Sequence, residues 1–459
     1  MKTAGAGSRL TRFLSLSYGL IPGLFLLNFI YPSSWVQGAL AALTTATLAA
    51  TLVALKNIFA PISAILLLLG AWNLWQQGLP FQDWLGAVIG KVDLFCLLLV
   101  LRFFEFPIQL GNYNYHVTDF ALRKVKTGRQ FFVLSTLVTY IFSIASDYAS
   151  FQIIFSTLKE RCRELIPSPE RFLTAVIKRS VGLSQMISPV CPTLALVLTL
   201  SGITWIDYAP YGALVSGTGL LLSLVSACYL SPAFRNLRDL KFEPGSGAAG
   251  EKPQRRRVVQ FFAIMIAIIV LIVLLDLKTG LNMLQVLFLV SLIVPPLWSL
   301  LIGRPREFGQ KISRFFTRDA ADFSTIFALV ISAGFLSGTL VPEQFQFLQH
   351  LLQGEMWLAV VIIPLTVILL TLLGINAFIG VAIVGGAAGL LPLEIPPAAL
   401  ALALISGAVT ANIVSPFSAS SLIMSNLTGK PPLTVSFRWN GLYSIALLAC
   451  SLLITLLIM

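Results

Sequence analysis

Apolar segments about 18 to 20 residues long recur along the whole chain, and they restrict its fold more than any other feature. Each is long enough to cross a bilayer as an α-helix, whereas the strands of a membrane barrel alternate over about ten residues. The composition agrees, because 57% of the residues are hydrophobic and only 11% are charged. Soluble domains, a disordered chain and a disulfide-rich scaffold are excluded. The sequence predicts an all-α polytopic membrane protein.

The hydrophobic segments delimit the predicted spans. They lie at 13–30, 36–55, 58–75, 84–110, 131–157, 180–201, 210–230, 258–277, 283–301, 323–341, 356–392, 397–427 and 438–458. Lys2, Arg9 and Arg12 precede the first segment, as in a signal peptide, but no small-residue cleavage site follows it. We therefore expect residues 1–30 to remain in the protein as an extra transmembrane helix.

The basic residues predict the orientation of the chain. They cluster in the connections at 123–129, 158–179, 235–257 and 304–318. The positive-inside rule places all of these connections in the cytoplasm, so the net charge of +12 reflects topology and not nucleic-acid binding. Basic connections on both sides of 131–157 predict a re-entrant hairpin from the cytoplasm, and acidic connections around 356–392 predict one from the outside. About eleven spans then cross a bacterial inner membrane, with the N-terminus cytoplasmic and the C-terminus periplasmic.

An offset of 227 residues aligns the two halves of the chain. Ser188-Pro189 falls on Ser415-Pro416 in one ungapped register that also matches span to span. Residues 31–230 and 258–459 become two units with the same order of spans, hairpin and broken helix, joined by a cytoplasmic linker at 231–257. The first unit starts outside and the second inside, so the predicted repeat is inverted, as in many secondary transporters. Chance alignment of two apolar sequences is the alternative.

Two segments, 180–201 and 397–427, are predicted to be helices that break near the middle of the membrane. Proline disfavours helix in the residue before it but fits the first helical position, and serine is a favoured N-cap. Each Ser-Pro pair is therefore predicted to start a half-helix whose free N–H groups suit an anionic substrate. A packed helix with a simple kink is the alternative. The predicted substrate-binding residues are Ser150, Ser188, Asn376, Asn412, Ser415 and Ser418.

Asp147 lies in the middle of the first hairpin, where acidic residues are rare and usually functional. An acid beside an anion site repels the anion unless it binds Na⁺ or carries a proton. We therefore predict that it serves the coupling cation, Na⁺ or H⁺. An aspartate that only caps the hairpin tip beside a water-filled vestibule is the alternative. The predicted coupling-cation residues are Ser146, Asp147, Gln185 and Gly374, the last closing a helix in the left-handed conformation.

The other sequence motifs predict no chemistry. Residues 245–250 match GxGxxG but lie in a polar loop, which favours a flexible linker. The five cysteines have no metal or CxxC spacing, and the two histidines lie far apart. We therefore predict no catalytic residue, no metal site and no cofactor besides the coupling ion. Because the chain has no P-loop, an ATP-driven pump within it is not expected.

In this architecture the chain resembles the ion transporter superfamily, which includes divalent-anion/sodium symporters, C4-dicarboxylate and citrate carriers, and arsenite permeases. Its hairpin tips read Ser146-Asp147-Tyr148 and Gly374-Ile375-Asn376, where the dicarboxylate symporters carry Ser-Asn-Thr. The run from Gly374 through Ser421 looks more like a branch of bacterial permeases in that superfamily. The resemblance implies a homodimer and an elevator-type motion. It also implies that substrate and cation are held by Asp147, Ser188, Asn376, Asn412 and Ser415.

The sequence thus predicts a secondary active transporter for a small, carboxylate-like anion, driven by Na⁺ or H⁺. Its predicted partners are the solute and membrane lipid. A cation/proton antiporter, an arsenite-type oxyanion permease and a passive channel remain open as alternatives. A membrane-embedded enzyme is less favoured, because few ionisable residues lie within the spans.

Overall fold

The computed structural model describes residues 9–57, 59–122, 125–147, 149–226, 254–352, 355–391 and 394–459. Every regular element in these ranges is a helix. Within them, ten helical segments are long and apolar enough to cross a membrane. The chain is an all-α polytopic membrane protein, which confirms the predicted fold class. Tyr148 of the first hairpin tip and most of the predicted linker 231–257 lie outside the described residues.

The described residues form 22 α-helices. They are α1 (Arg9–Ile30), α2 (Ser34–Ala54), α3 (Phe59–Gln76), α4 (Phe81–Ile89), α5 (Val92–Val100), α6 (Glu105–Leu110), α7 (Tyr113–Leu122), α8 (Gly128–Ser146), α9 (Ala149–Leu165), α10 (Pro169–Gln185), α11 (Pro192–Ser201), α12 (Trp205–Val225), α13 (Arg255–Lys278), α14 (Met283–Ile302), α15 (Pro305–Arg314), α16 (Ser324–Thr339), α17 (Gln346–Leu352), α18 (Met356–Leu372), α19 (Ala377–Leu390), α20 (Pro397–Val414), α21 (Ala419–Thr428) and α22 (Trp439–Leu457). Short 3-10 or π turns lie at Leu101–Phe104, Phe315–Asp319, Ala320–Phe323, Pro342–Phe345 and Thr434–Arg438.

The segment 180–201, which we predicted as one broken span, is not among the ten long segments. It is divided between α10, which begins earlier than predicted at Pro169, and the ten-residue α11. The basic connection predicted at 158–179 is therefore largely helical. Charge alone defined that connection in the sequence, and buried charged residues within α10 account for the difference.

The two segments predicted as hairpins each form a pair of helices. The first pair is α8 and α9, and the second is α18 and α19. With 17 and 14 residues, α18 and α19 rise about 26 and 21 Å, less than the roughly 30 Å hydrocarbon core of a bilayer. These lengths suit hairpins that enter and leave on the same side, and the re-entrant topology stays a prediction.

Two compact units divide the chain, and the first comprises residues 1–110, 291–350 and 386–392. A buried polar contact lies in its core, where the Tyr18 hydroxyl is 2.9 Å from Thr51 Oγ1 and donates to Ser324 Oγ at 3.1 Å. The helices α3 and α16 approach closely at Gly70. A Cβ there would lie 2.6 Å from the ring of Phe335, so a larger residue would force the ring or the helices to move.

The second unit comprises residues 111–290, 351–385 and 393–459, and it contains every candidate site residue. In it α8 packs on α10, α18 packs on α20, and α10 contacts α20. The backbones of α18 and α20 approach closely at Gly407, where an added Cβ would lie 2.7 Å from Pro364 Cα. Each broken helix is thus held against one helix of a predicted hairpin.

Candidate functional site

The first broken helix is interrupted between Gln185 and Pro192. Ser188 Oγ donates to the carbonyl of Ile144 near the end of α8 at 2.6 Å and accepts the N–H of Val190 at 3.2 Å. The next helix begins at Pro192, with Cys191 as its N-cap. The prediction that Ser188-Pro189 starts the half-helix is wrong, because the Ser188 hydroxyl is used to attach the interruption to α8.

The second broken helix is interrupted between Val414 and Ala419 in the same manner. Ser415 Oγ donates to the carbonyl of Thr371 on α18 at 3.0 Å and accepts the N–H of Phe417 at 3.2 Å. The half-helix α21 is capped instead by Ser418, whose hydroxyl accepts the Ser421 N–H. The predicted start at Ser415-Pro416 is therefore also wrong, by three residues, and the predicted site residue Ser418 is the cap.

The two interruptions share their details at the offset of 227 residues that separates Gln185 from Asn412. Both serine-to-carbonyl bonds span 44 residues, from Ser188 to Ile144 and from Ser415 to Thr371. The half-helices α11 and α21 have ten residues each. Each ends at a left-handed glycine, Gly202 with φ of 65° and Gly429 with φ of 70°. The same local structure therefore occurs twice in the unit.

The predicted hairpin tips both contain a residue with positive φ. Asp147 is the C-cap of α8, with φ of 40° and ψ of −122°, outside the allowed left-handed helical region. Ser150 Oγ donates to its carbonyl at 2.5 Å. Gly374 has φ of 97°, a conformation that side chains rarely adopt. Asn376 Oδ1 then accepts the N–H of Phe378 at 2.9 Å and opens α19. A strained aspartate at a helix end is held only where its surroundings fix it.

A hydrogen-bonded chain joins the first hairpin tip to both interruptions. Gln185 Nε2 donates to Asp147 Oδ1 at 2.7 Å, and Asn412 Nδ2 donates to Gln185 Oε1 at 3.2 Å. Gln185 is 1% exposed and Asn412 6%. Buried polar groups that satisfy one another in this way fix each other's orientation. The structure therefore brings together Asp147, Gln185 and Asn412, three of the predicted site residues.

Serine hydroxyls cover the exposed backbone of the second interruption. Ser418 and Ser420 both donate to the carbonyl of Asn412, at 2.9 and 2.5 Å, and Ser421 donates to that of Ser415 at 2.5 Å. These bonds add partners to carbonyls at a helix end, where intrahelical donors are lacking. The hydroxyl of the predicted residue Ser146 donates to Phe142 O within α8 at 2.9 Å.

The helix α12 supports the first interruption from the other side. Tyr208 donates its hydroxyl to the carbonyl of Met186 at 2.8 Å, and Trp205 Nε1 donates to that of Ile187 at 3.0 Å. Gly212 lets α12 approach the interruption, since a Cβ there would lie 2.6 Å from Met186 O. The unwound backbone is thus enclosed by protein, as the bilayer requires.

Sequence reasoning missed two buried basic residues on α10, Lys178 and Arg179, which it counted in a cytoplasmic connection. Arg179 Nε donates to Asn440 Oδ1 at 2.9 Å, and its guanidinium lies 4.5 Å from the ring centre of Tyr443. Lys178 Nζ donates to Ser421 Oγ in the first turn of α21. The apolar residues on both sides of the pair were the available signal, because they continue a helix back to Pro169. Among the described residues, no group of three or more His, Cys, Asp or Glu side chains could hold a metal ion.

Comparison with known proteins assigns no family. No protein-family model and no curated protein matches the chain. A solved structure of MtrF from Neisseria gonorrhoeae, described as representing a class of antimetabolite efflux pumps, is similar in arrangement, with 12% sequence identity and a TM-score of 0.49. The match covers 81% of this chain and 83% of MtrF. At this identity and TM-score the likeness assigns neither a family nor an activity.

Proposed function

We propose that the protein is a secondary active transporter that moves a small anionic solute of the carboxylate class, driven by a gradient of H⁺ or Na⁺. The observation that carries the proposal is the buried chain of Asp147, Gln185 and Asn412, which joins a hairpin tip to the interruptions of two broken helices. Unwound backbone at membrane depth costs several kcal/mol for each unpaired group. Secondary transporters use such interruptions to hold solutes and ions.

The proposal includes the inverted repeat. Gln185 and Asn412 are related by the offset of 227 residues, and they are hydrogen-bonded to each other. Two equivalent residues of a repeat contact each other only close to the axis that relates the halves. The recurring bonds of Ser188 and Ser415 support the same relation. In this account the solute site lies beside the axis, where alternating access can expose it to either side.

Asp147 has the proposed role of receiving the coupling cation. Its carboxylate accepts a hydrogen bond from the Gln185 amide, which is 1% exposed and fixed in turn by Asn412. Protonation of Asp147, or Na⁺ beside it, would change that bond and so the contact between the hairpin and the broken helices. Coupling requires a structural element with two states, one of which the bound cation favours. The contact between the hairpin and the broken helices is proposed to be that element.

We also propose that the protein is a relative of the ion transporter superfamily. It would lie in a bacterial inner membrane and form a homodimer. The proposed orientation keeps the N-terminus in the cytoplasm and the C-terminus in the periplasm. It rests on the positions of the basic residues in the sequence.

The experiment is uptake into proteoliposomes that contain the purified full chain. Acetate, lactate, succinate, citrate, phosphate and arsenite are offered as labelled solutes, with an imposed Na⁺ or pH gradient and at two pH values. We expect saturable uptake of at least one carboxylate, which one gradient drives and its ionophore abolishes. Asp147→Asn should remove the response to the gradient, and Asn426→Gln, an exposed amide near the end of α21, serves as the control.

Three outcomes would contradict the proposal. Cation exchange without movement of any anion would identify an antiporter. Uptake of arsenite alone would identify an oxyanion permease. Flux that does not saturate, and that shows no acceleration by solute on the opposite side, would identify a channel.

A further inference from the structure

Lys178 lies in the middle of α10 and is 1% exposed. Its Nζ donates to Ser421 Oγ, which is its one hydrogen-bond acceptor among the described residues. An ammonium group has three N–H donors, and a neutral hydroxyl supplies no charge to balance it. Burial of such a cation is unfavourable unless an anion accompanies it.

None of the described side chains supplies an anion to Lys178. Among the residues whose side chains are described, no carboxylate oxygen lies within 4.0 Å of its Nζ or of the Arg179 guanidinium. Arg179 itself is held by the neutral groups of Asn440 and Ser226 and by the ring of Tyr443. Two consecutive buried cations therefore lie in this part of the second unit with no carboxylate of a described side chain beside them.

The helix end beside Lys178 increases the demand for negative charge. Ser421 lies in the first turn of the ten-residue α21, whose N-cap is Ser418. The N-terminus of a helix carries partial positive charge and N–H groups that lack intrahelical partners. A cation at this end of a helix is unfavourable by itself, whereas an anion would be stabilised by both the ammonium and the helix.

The hydroxyls of this helix end donate to backbone carbonyls, so their oxygens are left as acceptors. Ser420 donates to the carbonyl of Asn412 and Ser421 to that of Ser415, both at 2.5 Å. With its hydrogen turned to the carbonyl of Ser415, the Ser421 oxygen accepts one N–H of Lys178. The remaining ammonium donors can then serve a ligand.

We propose that Lys178 and the N-terminal turn of α21 bind the carboxylate of the transported solute, and that a solute with one negative charge fits best. This inference rests on the proposed transport function and names its substrate class and the residue that recognises it. One lysine offers a single compact charge, and the neighbouring Arg179 is already held by other groups. A second carboxylate would need a further cationic group, and Arg179 is directed to Asn440, Ser226 and the Tyr443 ring instead.

The site is separate from that of the coupling cation. Gln185, which contacts Asp147, lies about 10 Å further along the axis of α10 than Lys178. One continuous helix therefore connects a cation site at its end with an anion site nearer its middle. Binding of the two opposite charges to the same rigid element would favour their joint movement.

The test measures binding to the full chain in detergent by calorimetry, with acetate, lactate and benzoate as probes and sulfate and phosphate for comparison. Lys178→Met removes the charge and keeps the length, Lys178→Arg keeps the charge, and Lys430→Met is the control at an exposed lysine. We expect Lys178→Met to bind the best monocarboxylate roughly 10- to 100-fold more weakly, since a bond to a charged group is lost. Lys178→Arg should stay within about tenfold of the wild type, and Lys430→Met should be unchanged.

The melting temperature without ligand separates recognition from a structural role. A lysine that binds solute should tolerate Lys178→Met with an unchanged or higher melting temperature, because an apolar side chain replaces an uncompensated buried charge. A lower melting temperature with unchanged affinity would overturn the inference and leave Lys178 as a structural tether of α21. If Lys178→Met does not fold, Lys178→Arg takes its place in the test. A loss of affinity in Lys178→Arg well beyond tenfold would then overturn the inference.

Three further results distinguish this inference from the proposed function. Monocarboxylate transport with the same affinity in Lys178→Met would refute the anion site and leave the transporter intact. Tighter binding of sulfate or phosphate than of any carboxylate would refute the substrate class. A wild-type protein that binds none of the probes and exchanges only cations would refute the transport proposal, and the anion site with it.

Discussion

The bond between Gln185 and Asp147 gives a quantitative prediction about the charge state of the site. Gln185 Nε2 donates to Asp147 Oδ1 at 2.7 Å, and both groups are held by residues of the same unit. A hydrogen bond to an ionised carboxylate contributes about 1.5–3 kcal/mol, and one between neutral groups about 0.5–1.5 kcal/mol. A double-mutant cycle isolates this term from the other effects of each substitution.

The cycle consists of Gln185→Met, Asp147→Ala and the double variant. The free energy of unfolding is followed by denaturant titration of the full chain in mixed micelles. At pH 8 we expect an interaction energy of about 1.5–3 kcal/mol, and at a pH where Asp147 is protonated about 0.5–1.5 kcal/mol. Asp147→Ala combined with Thr455→Val, which removes a hydroxyl bonded within α22, should be additive. Additivity of the Gln185 and Asp147 substitutions at both pH values would refute the reasoning.

Four other substitutions and one control test the packing around the site by melting temperature. Gly407→Ala should cost about 1–3 kcal/mol, because its Cβ would lie 2.7 Å from neighbouring backbone, whereas Gly217→Ala meets nothing within 4 Å and should be close to neutral. Arg179→Lys should cost about 1–3 kcal/mol, because lysine loses the two-sided hydrogen bonding and the stacking on tyrosine. Ser188→Ala and Ser415→Ala should each cost about 1 kcal/mol and to a similar extent, since each removes the same bond to a neighbouring helix. Clearly unequal losses would count against the repeat.

The long apolar helices could be predicted because their signal is continuous over about 20 residues. The residue at which each half-helix begins was harder to predict from the sequence. Ser-Pro pairs mark where each helix is interrupted, but whether the serine caps the next helix depends on what its hydroxyl meets. Ser188 and Ser415 both meet a carbonyl of a neighbouring helix, and that contact is not encoded in the local sequence.

Lys178 is a residue that the sequence places outside a helix and the structure places inside one. A lysine followed by an arginine lowers the local mean hydropathy. The hydrophobic segment therefore ends there, and the pair is assigned to a connection. The structure continues α10 through both residues, because neighbouring helices offer hydroxyl, amide and aromatic partners. Only the assembled unit supplies these partners, and so the most basic part of the site could not be predicted from hydropathy and charge alone.

The accumulation ratio of the solute tests the central claim most directly. Proteoliposomes are given a fixed Na⁺ or pH gradient, and the solute gradient at which net movement stops is measured. A secondary transporter predicts a ratio that follows the imposed gradient and collapses to that of an uncoupled protein in Asp147→Asn. A ratio that depends only on the solute's own charge and the membrane potential, with no effect of the cation gradient, would contradict the account.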